Sequence, residues 1–297
     1  MPLRPLPLLL LALALAACSS DSNREWEDFD FDTETDTSAA DVKPQLYEVP
    51  LDGERRLTAD LDVGLGRVRL GRASQGQLVQ AEVVTGRSGL EPTFAYTRDG
   101  DDGRVAVGLT GEGSIKGGAN RWDLRFSDQV PLALSAELGM ANADLDLSGL
   151  RLTDLHVEAG MAEATVHFDR ANAETLELVE LSAGMAEFRA RGLGYARFER
   201  LLFEGGAGRF VLDFRGDALL PGAVAELELG VASAEIVLPQ GYPVVIEAEQ
   251  ALGSVDVPVG FIKRGDGVWH SESVARPEDA LIIRAEVGAG SLRFRTE

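Results

Sequence analysis

Along this chain, apolar residues alternate with polar ones, meet a glycine, and alternate again, six or more times. One copy reads Leu134, Ala136, Leu138, Gly139, then Ala143, Leu145 and Leu147. The next reads Leu155, Val157, Ala159, Gly160, then Ala164, Val166 and Phe168. Further copies centre on Gly184, Gly206, Gly230 and Gly288, with an early one at Gly64 and a degenerate one at Gly253. From Gly139 to Gly230 the steps are 21, 24, 22 and 24 residues, a period that belongs to stacked solenoid coils.

The phase of the pattern predicts a corner. Apolar residues sit one, three and five positions before each glycine, and four, six and eight positions after it. The distance between the two sets is odd, so a straight strand would turn them to opposite faces. Both sets reach one core only if the chain bends at the glycine, which tolerates positive φ or the close approach of a neighbouring coil. The expected fold is therefore all-β: a parallel β-solenoid, a rack of stacked Gly-cornered strand pairs, capped by an N-terminal β subdomain. A leucine-rich-repeat phrase between Leu147 and Val157 is not repeated, and its asparagine ladder is missing. The one hint of helix lies near Ala171 to Thr175.

Four segments follow from the same pattern. Residues 1–17 read as a signal peptide, too short to span a bilayer. It ends in Leu15-Ala16-Ala17-Cys18, which resembles the bacterial lipobox, and Cys18 is the chain's single cysteine. The expectation is a diacylglyceryl-modified Cys18 holding the chain to a membrane. The Cys18-Ser19 pair resembles the sorting pattern of outer-membrane lipoproteins. Residues 18–42 read as an acidic tether, because residues 21–41 hold nine acidic residues against Arg24, eight of the chain's 21 net negative charges. Within it Trp26, Phe29 and Phe31 could serve as a docking peptide for a basic partner. A plain spacer and a calcium loop are the other readings, the last without its required glycine. Residues 43–130 form the N-terminal β subdomain, and residues 131–297 the solenoid, with an insertion at 258–280. Loops that interrupt a repeat are where binding resides, so Phe261, Trp269 and His270 in that insertion are candidate interaction residues.

Two stretches carry a family resemblance. Leu252-Gly-Ser-Val255-Asp-Val257-Pro, Gly260-Phe261, Trp269 and the closing Ala285-Glu-Val287-Gly288-Ala-Gly290-Ser-Leu292-Arg-Phe294 resemble the C-terminal domain of the cell-wall-active antibiotic response proteins. Trp122-Asp-Leu-Arg-Phe, Pro131-Leu-Ala-Leu and Asp146-Leu-Ser-Gly-Leu150 resemble the bacterial toast-rack family. The resemblance implies a rack of stacked strands in the cell envelope, with no known active site.

Catalytic and metal chemistry find little support. His156, His167 and His270 lack metal-ligand spacing, so no metal and no cofactor are expected. Met140, Met161 and Met185 share the place after the corner glycine and should stack in a column. Such a column reads as apolar packing or, with soft thioether ligands, as a Cu(I) site. Asp144 and Asp146 stack beneath Thr165 and His167, then Arg189 and Arg191, a face of alternating charge rather than a placed carboxylate pair. No Gly-x-Ser-x-Gly elbow occurs, and a chain of pI near 4.5 is no nucleic-acid binder. The expected function is a non-enzymatic envelope lipoprotein, anchored at the outer membrane by lipid, presenting a scaffold or adhesion surface. The alternatives are an envelope-stress accessory protein binding a membrane partner, and a polysaccharide-binding or polysaccharide-cleaving β-helix. Expected partners are the membrane, through the lipid, and an envelope protein, peptidoglycan or other glycan. Oligomeric state stays open.

Overall fold

The computed structural model describes residues 44–84, 91–111 and 120–297. The signal peptide, Cys18, the acidic tether and Trp26, Phe29 and Phe31 lie outside the described residues. Strands β1 (Gln45–Pro50), β2 (Arg56–Arg72), β3 (Gln77–Val84), β4 (Glu91–Asp99), β5 (Asp102–Thr110) and β6 (Asn120–Phe126) come first. Then follow β7 (Pro131–Asp146), β8 (Arg151–Ala159), β9 (Glu163–His167), β10 (Leu176–Arg191) and β11 (Phe198–Asp213). The chain continues through β12 (Val224–Leu238), β13 (Val244–Asp256), β14 (Phe261–Gly265), β15 (Val268–Ser271) and β16 (Leu281–Thr296). These strands join in one sheet.

The sheet is the predicted rack. β2, β7, the pair β8 and β9, β10, β11, β12, β16 and β13 lie side by side and parallel, each coil hydrogen-bonded to the next. Burial follows the expected phase: Leu134, Ala136 and Leu138 are buried before Gly139, and Ala143, Leu145 and Leu147 after it. At each corner two consecutive residues, the glycine and its successor, face outward. The chain points inward again one place later, at the buried Ala141, Ala162, Ala186 and Ala232. This pair of outward residues is what lets both strand halves serve one core.

Close approach explains the corner glycines from Gly139 onward. A Cβ on Gly139 would stand 2.4 Å from the carbonyl oxygen of Gly64, and one on Gly206 2.6 Å from that of Gly184. None of these corner glycines has a positive φ. Left-handed backbone falls two residues later, at Gly66, Gly208 and Gly290, with φ of 143°, 153° and 129°. That second row corrects one expectation: Gly253 pairs with Gly290, not with Gly288, so the corner place in its coil belongs to Ala251.

Two further expectations change. The coils do not stack in strict chain order, because β16 enters between β12 and β13 and leaves the degenerate copy outermost. Residues 171–175 form a loop rather than a helix. In that loop the buried Asn172 accepts from Leu152 N–H at 3.0 Å and donates to Leu152 C=O at 2.8 Å. The N-terminal strands cap one end of the rack. The first half of β2 pairs with β5, itself antiparallel to β4, and the second half pairs with β6, which leads on through β3 to β1. At the other end the β14–β15 hairpin covers the first half of β13.

Candidate interaction surface

Outside the core, in-register positions form rows that cross the coils at about 4.8 Å per strand. The row four places before the corner mixes charges: Asp60, Ser135, His156, Glu180, Leu202, Glu226, Arg284 and Glu247. Its carboxylates are paired, with Arg104 to Asp60 at 3.2 Å, Arg200 to Glu226 at 3.3 Å and Arg284 to Glu247 at 2.9 Å. The row five places after the corner also alternates in charge. There Arg189 meets Glu163 at 3.4 Å, and Arg293 meets Asp256 at 3.7 Å. His167 at the end of its strand lies 3.2 Å from Asp146, so the expected face of alternating charge is present.

The row two places before the corner differs. It reads Asp62, Glu137, Glu158, Ser182, Glu204, Glu228, Glu286 and Glu249, seven carboxylates on eight adjacent coils. All seven are exposed, and among the described residues none has an ion-pair partner. Like charges directly opposite one another across a sheet are destabilising. Beside this row the corner glycines leave a trough. A cavity of about 830 Å³ is lined alternately by Glu158, Glu204, Glu228 and by Gly184, Gly206, Gly230.

The far side of the glycine row is apolar. The residues after the corner align as Leu65, Met140, Met161, Met185, Ala207, Val231, Ala289 and Leu252. The methionine column expected from the sequence is therefore present as part of an apolar ladder at the corners, with Met140 half-buried and the next two largely in solvent. Met161 and Met185 are 52% and 63% exposed, Val231 and Leu252 65% and 72%. Four of the seven large apolar side chains exposed among the described residues stand in this row. A carboxylate rail, a glycine floor and an apolar ridge thus run together across the coils.

The residues singled out in the insertion sit elsewhere. Phe261 and Trp269 lie on the β14–β15 hairpin, half-buried against the core, with Lys263 Nζ 5.8 Å from the centre of the Trp269 ring. His270 pairs across the hairpin with Ile262. Neither the carboxylate rail nor the exposure of the ridge was foreseen from the sequence, although a Glu two places before most corner glycines is a visible signal.

One polar cluster locks the capped end. Glu54, its side chain 2% exposed, accepts from Tyr96 O–H at 2.8 Å and from Asp52 N–H at 2.7 Å, and pairs with Arg98 at 3.2 Å. Burial alone would raise its pKa, but these hydrogen bonds and the guanidinium outweigh that and hold the carboxyl below its usual range. Burial, and then the bond to Glu54, push the Tyr96 phenol up to about 12.

The family model described as the N-terminal domain of toast_rack, DUF2154, matches residues 37–191. Among solved structures, a candidate cell adhesion protein from Clostridium sporogenes ATCC 15579 is similar at 18% identity and a TM-score of 0.46, covering 86% of this chain and 100% of its own. A candidate adhesin from Bacteroides fragilis NCTC 9343 is similar at 8% identity and a TM-score of 0.34, covering 85% and 97%. A candidate lipid binding protein from Parabacteroides distasonis ATCC 8503 is similar at 11% identity and a TM-score of 0.29, covering 85% and 97%. No curated protein matched the chain.

Proposed function

The chain belongs to the toast-rack family, and from that premise we propose that it is a non-enzymatic lipoprotein of the bacterial envelope whose rack presents an interaction surface. The observation that carries this reading is the surface itself: unpaired carboxylates line a trough and exposed apolar side chains follow in the row just past its corner glycines, while neighbouring rows are paired. Isolated apolar residues on a surface need no explanation, whereas contiguous ones mark contact sites. The lipobox-like end of the leader supports anchoring at Cys18, and Cys18-Ser19 supports the outer membrane as its place. Acyl chains contribute roughly 0.8 kcal/mol per buried methylene, so two chains hold a protein stably at a bilayer.

Crosslinking the native protein in intact cells, with Cys18→Ser as the unanchored control, tests this reading. The expected outcome is a membrane-bound native protein that captures envelope components, and a Cys18→Ser variant recovered in the soluble fraction. Equal distribution of the two forms counts against the anchor. Capture of one dominant integral-membrane protein, lost in the control, favours the envelope-stress accessory role, which the antibiotic-response-like C-terminal stretch supports.

A further inference from the structure

We propose that the trough is a docking surface for a cationic, amphipathic segment of another polypeptide, laid lengthwise across the coils. This deepens the interaction-surface reading and rests on it. Charge complementarity sets the first requirement. The carboxylates two places before the corner have no ion-pair partner among the described residues, although the rows around them do, so the neutralising charge comes from outside. A single row of like charges favours an occupant with several cations in line, and repels nucleic acid and anionic headgroups.

The apolar ridge sets the second requirement. Met161, Met185, Val231 and Leu252 border the same glycine floor and are exposed by half or more. An occupant with cations on one edge and apolar groups on the other meets both the carboxylates of the trough and the ridge beyond its glycines. An inorganic cation, a polyamine or a glycan satisfies at most one. Eight coils at about 4.8 Å spacing make a rail about 34 Å long, which matches an extended polypeptide of about ten residues. The occupant lies across the strands, so side chains rather than backbone hydrogen bonds carry recognition, and the on-rate is salt-dependent.

The test is fluorescence anisotropy of a labelled synthetic peptide of alternating Lys and Leu, about ten residues long, against the full chain. Oligolysine of equal length is the comparison probe. The triple variant Glu204→Gln, Glu228→Gln, Glu286→Gln is expected to weaken peptide binding about tenfold at low salt. The pair Met185→Ser, Val231→Ser is expected to weaken the Lys–Leu peptide severalfold and leave oligolysine unchanged. All five side chains are exposed, so the core is untouched. A charge-matched control, Glu177→Gln, Glu199→Gln, Glu272→Gln, alters exposed residues outside the trough and is expected to bind like the native chain. Equal weakening by the control triple, or equal affinity of the native chain for oligolysine, overturns the proposal. So does binding to phosphatidylcholine vesicles that the Met185→Ser, Val231→Ser pair abolishes, which would assign the ridge to a lipid surface. The wider function fails separately, in the cellular crosslinking with Cys18→Ser, whatever the peptide does.

Discussion

At the scale of single residues, identical glycines do different work. Gly206 is pressed against the carbonyl of Gly184, 2.6 Å from where a Cβ would stand, whereas a Cβ on Gly64 meets nothing within 4 Å. Gly206→Ala therefore forces the coils apart and is expected to cost about 1–3 kcal/mol, a fall of roughly 2–4 °C in Tm per kcal/mol for a chain of this size. Gly64→Ala is expected to leave Tm nearly unchanged in the same calorimetric scan. Tyr96 makes a prediction in pH. Its phenol is raised to about 12 in the folded chain, above the ordinary value of about 10. The folded state thus holds this proton longer than the unfolded one. The resulting stability is complete below about pH 10 and is lost as pH rises toward 12. Tyr96→Phe should flatten the decline of Tm across that window, and an unchanged slope would remove Tyr96 as its source. Both residues were plain in the sequence, but their roles depend on which backbone or carboxylate lies opposite, and a single chain does not display that.

At the scale of strands, the register writes a row from one residue of each coil. Neighbouring carboxylates about 5 Å apart repel by roughly 0.8 kcal/mol in bulk water, and salt screens this strongly. The Glu204→Gln, Glu228→Gln, Glu286→Gln triple removes repulsion along three adjacent coil pairs. It is expected to raise Tm at low ionic strength and to lose most of that gain in 1 M salt. A Tm that falls at low salt would mean that the row is held by interactions other than those seen here. Element-level structure was the most legible part of the sequence. The phase at Leu138, Gly139 and Ala143 places the corner and the buried face without any coordinates, and the columns of Asp144, Thr165 and Arg189 follow from it. The same phase also contained the carboxylate rail, yet an outward Glu reads as ordinary solvation until its lateral neighbours are known. Gly253 belongs to a second glycine row, two residues beyond the first, which imitates the corner in a coil that has Ala251 there.

At the scale of the whole molecule, connectivity departs from repetition. Val231 pairs with Ala289, 58 positions onward, and Ala289 in turn with Leu252. Periodicity in the sequence conveys what each coil looks like but not the order in which coils lie, so the exchange of β13 and β16 was beyond its reach. That exchange has a kinetic side. Val231 and Leu252 are 21 positions apart, matching the separation that joins correct neighbours elsewhere in the rack, such as Met140 and Met161. Loop-closure entropy rises with the logarithm of separation, so the shorter closure is favoured by roughly 0.9 kcal/mol over the 58-residue one. For the open β12 edge, closure onto β13 is thus entropically the cheaper of the two, although β16 is the native neighbour. Where β13 seats there first, the native order is reached only when β16 displaces it, and a slow refolding phase is the expected outcome. The rack is thus a structure in which the cheapest loop closure and the final pairing favour different neighbours for one edge.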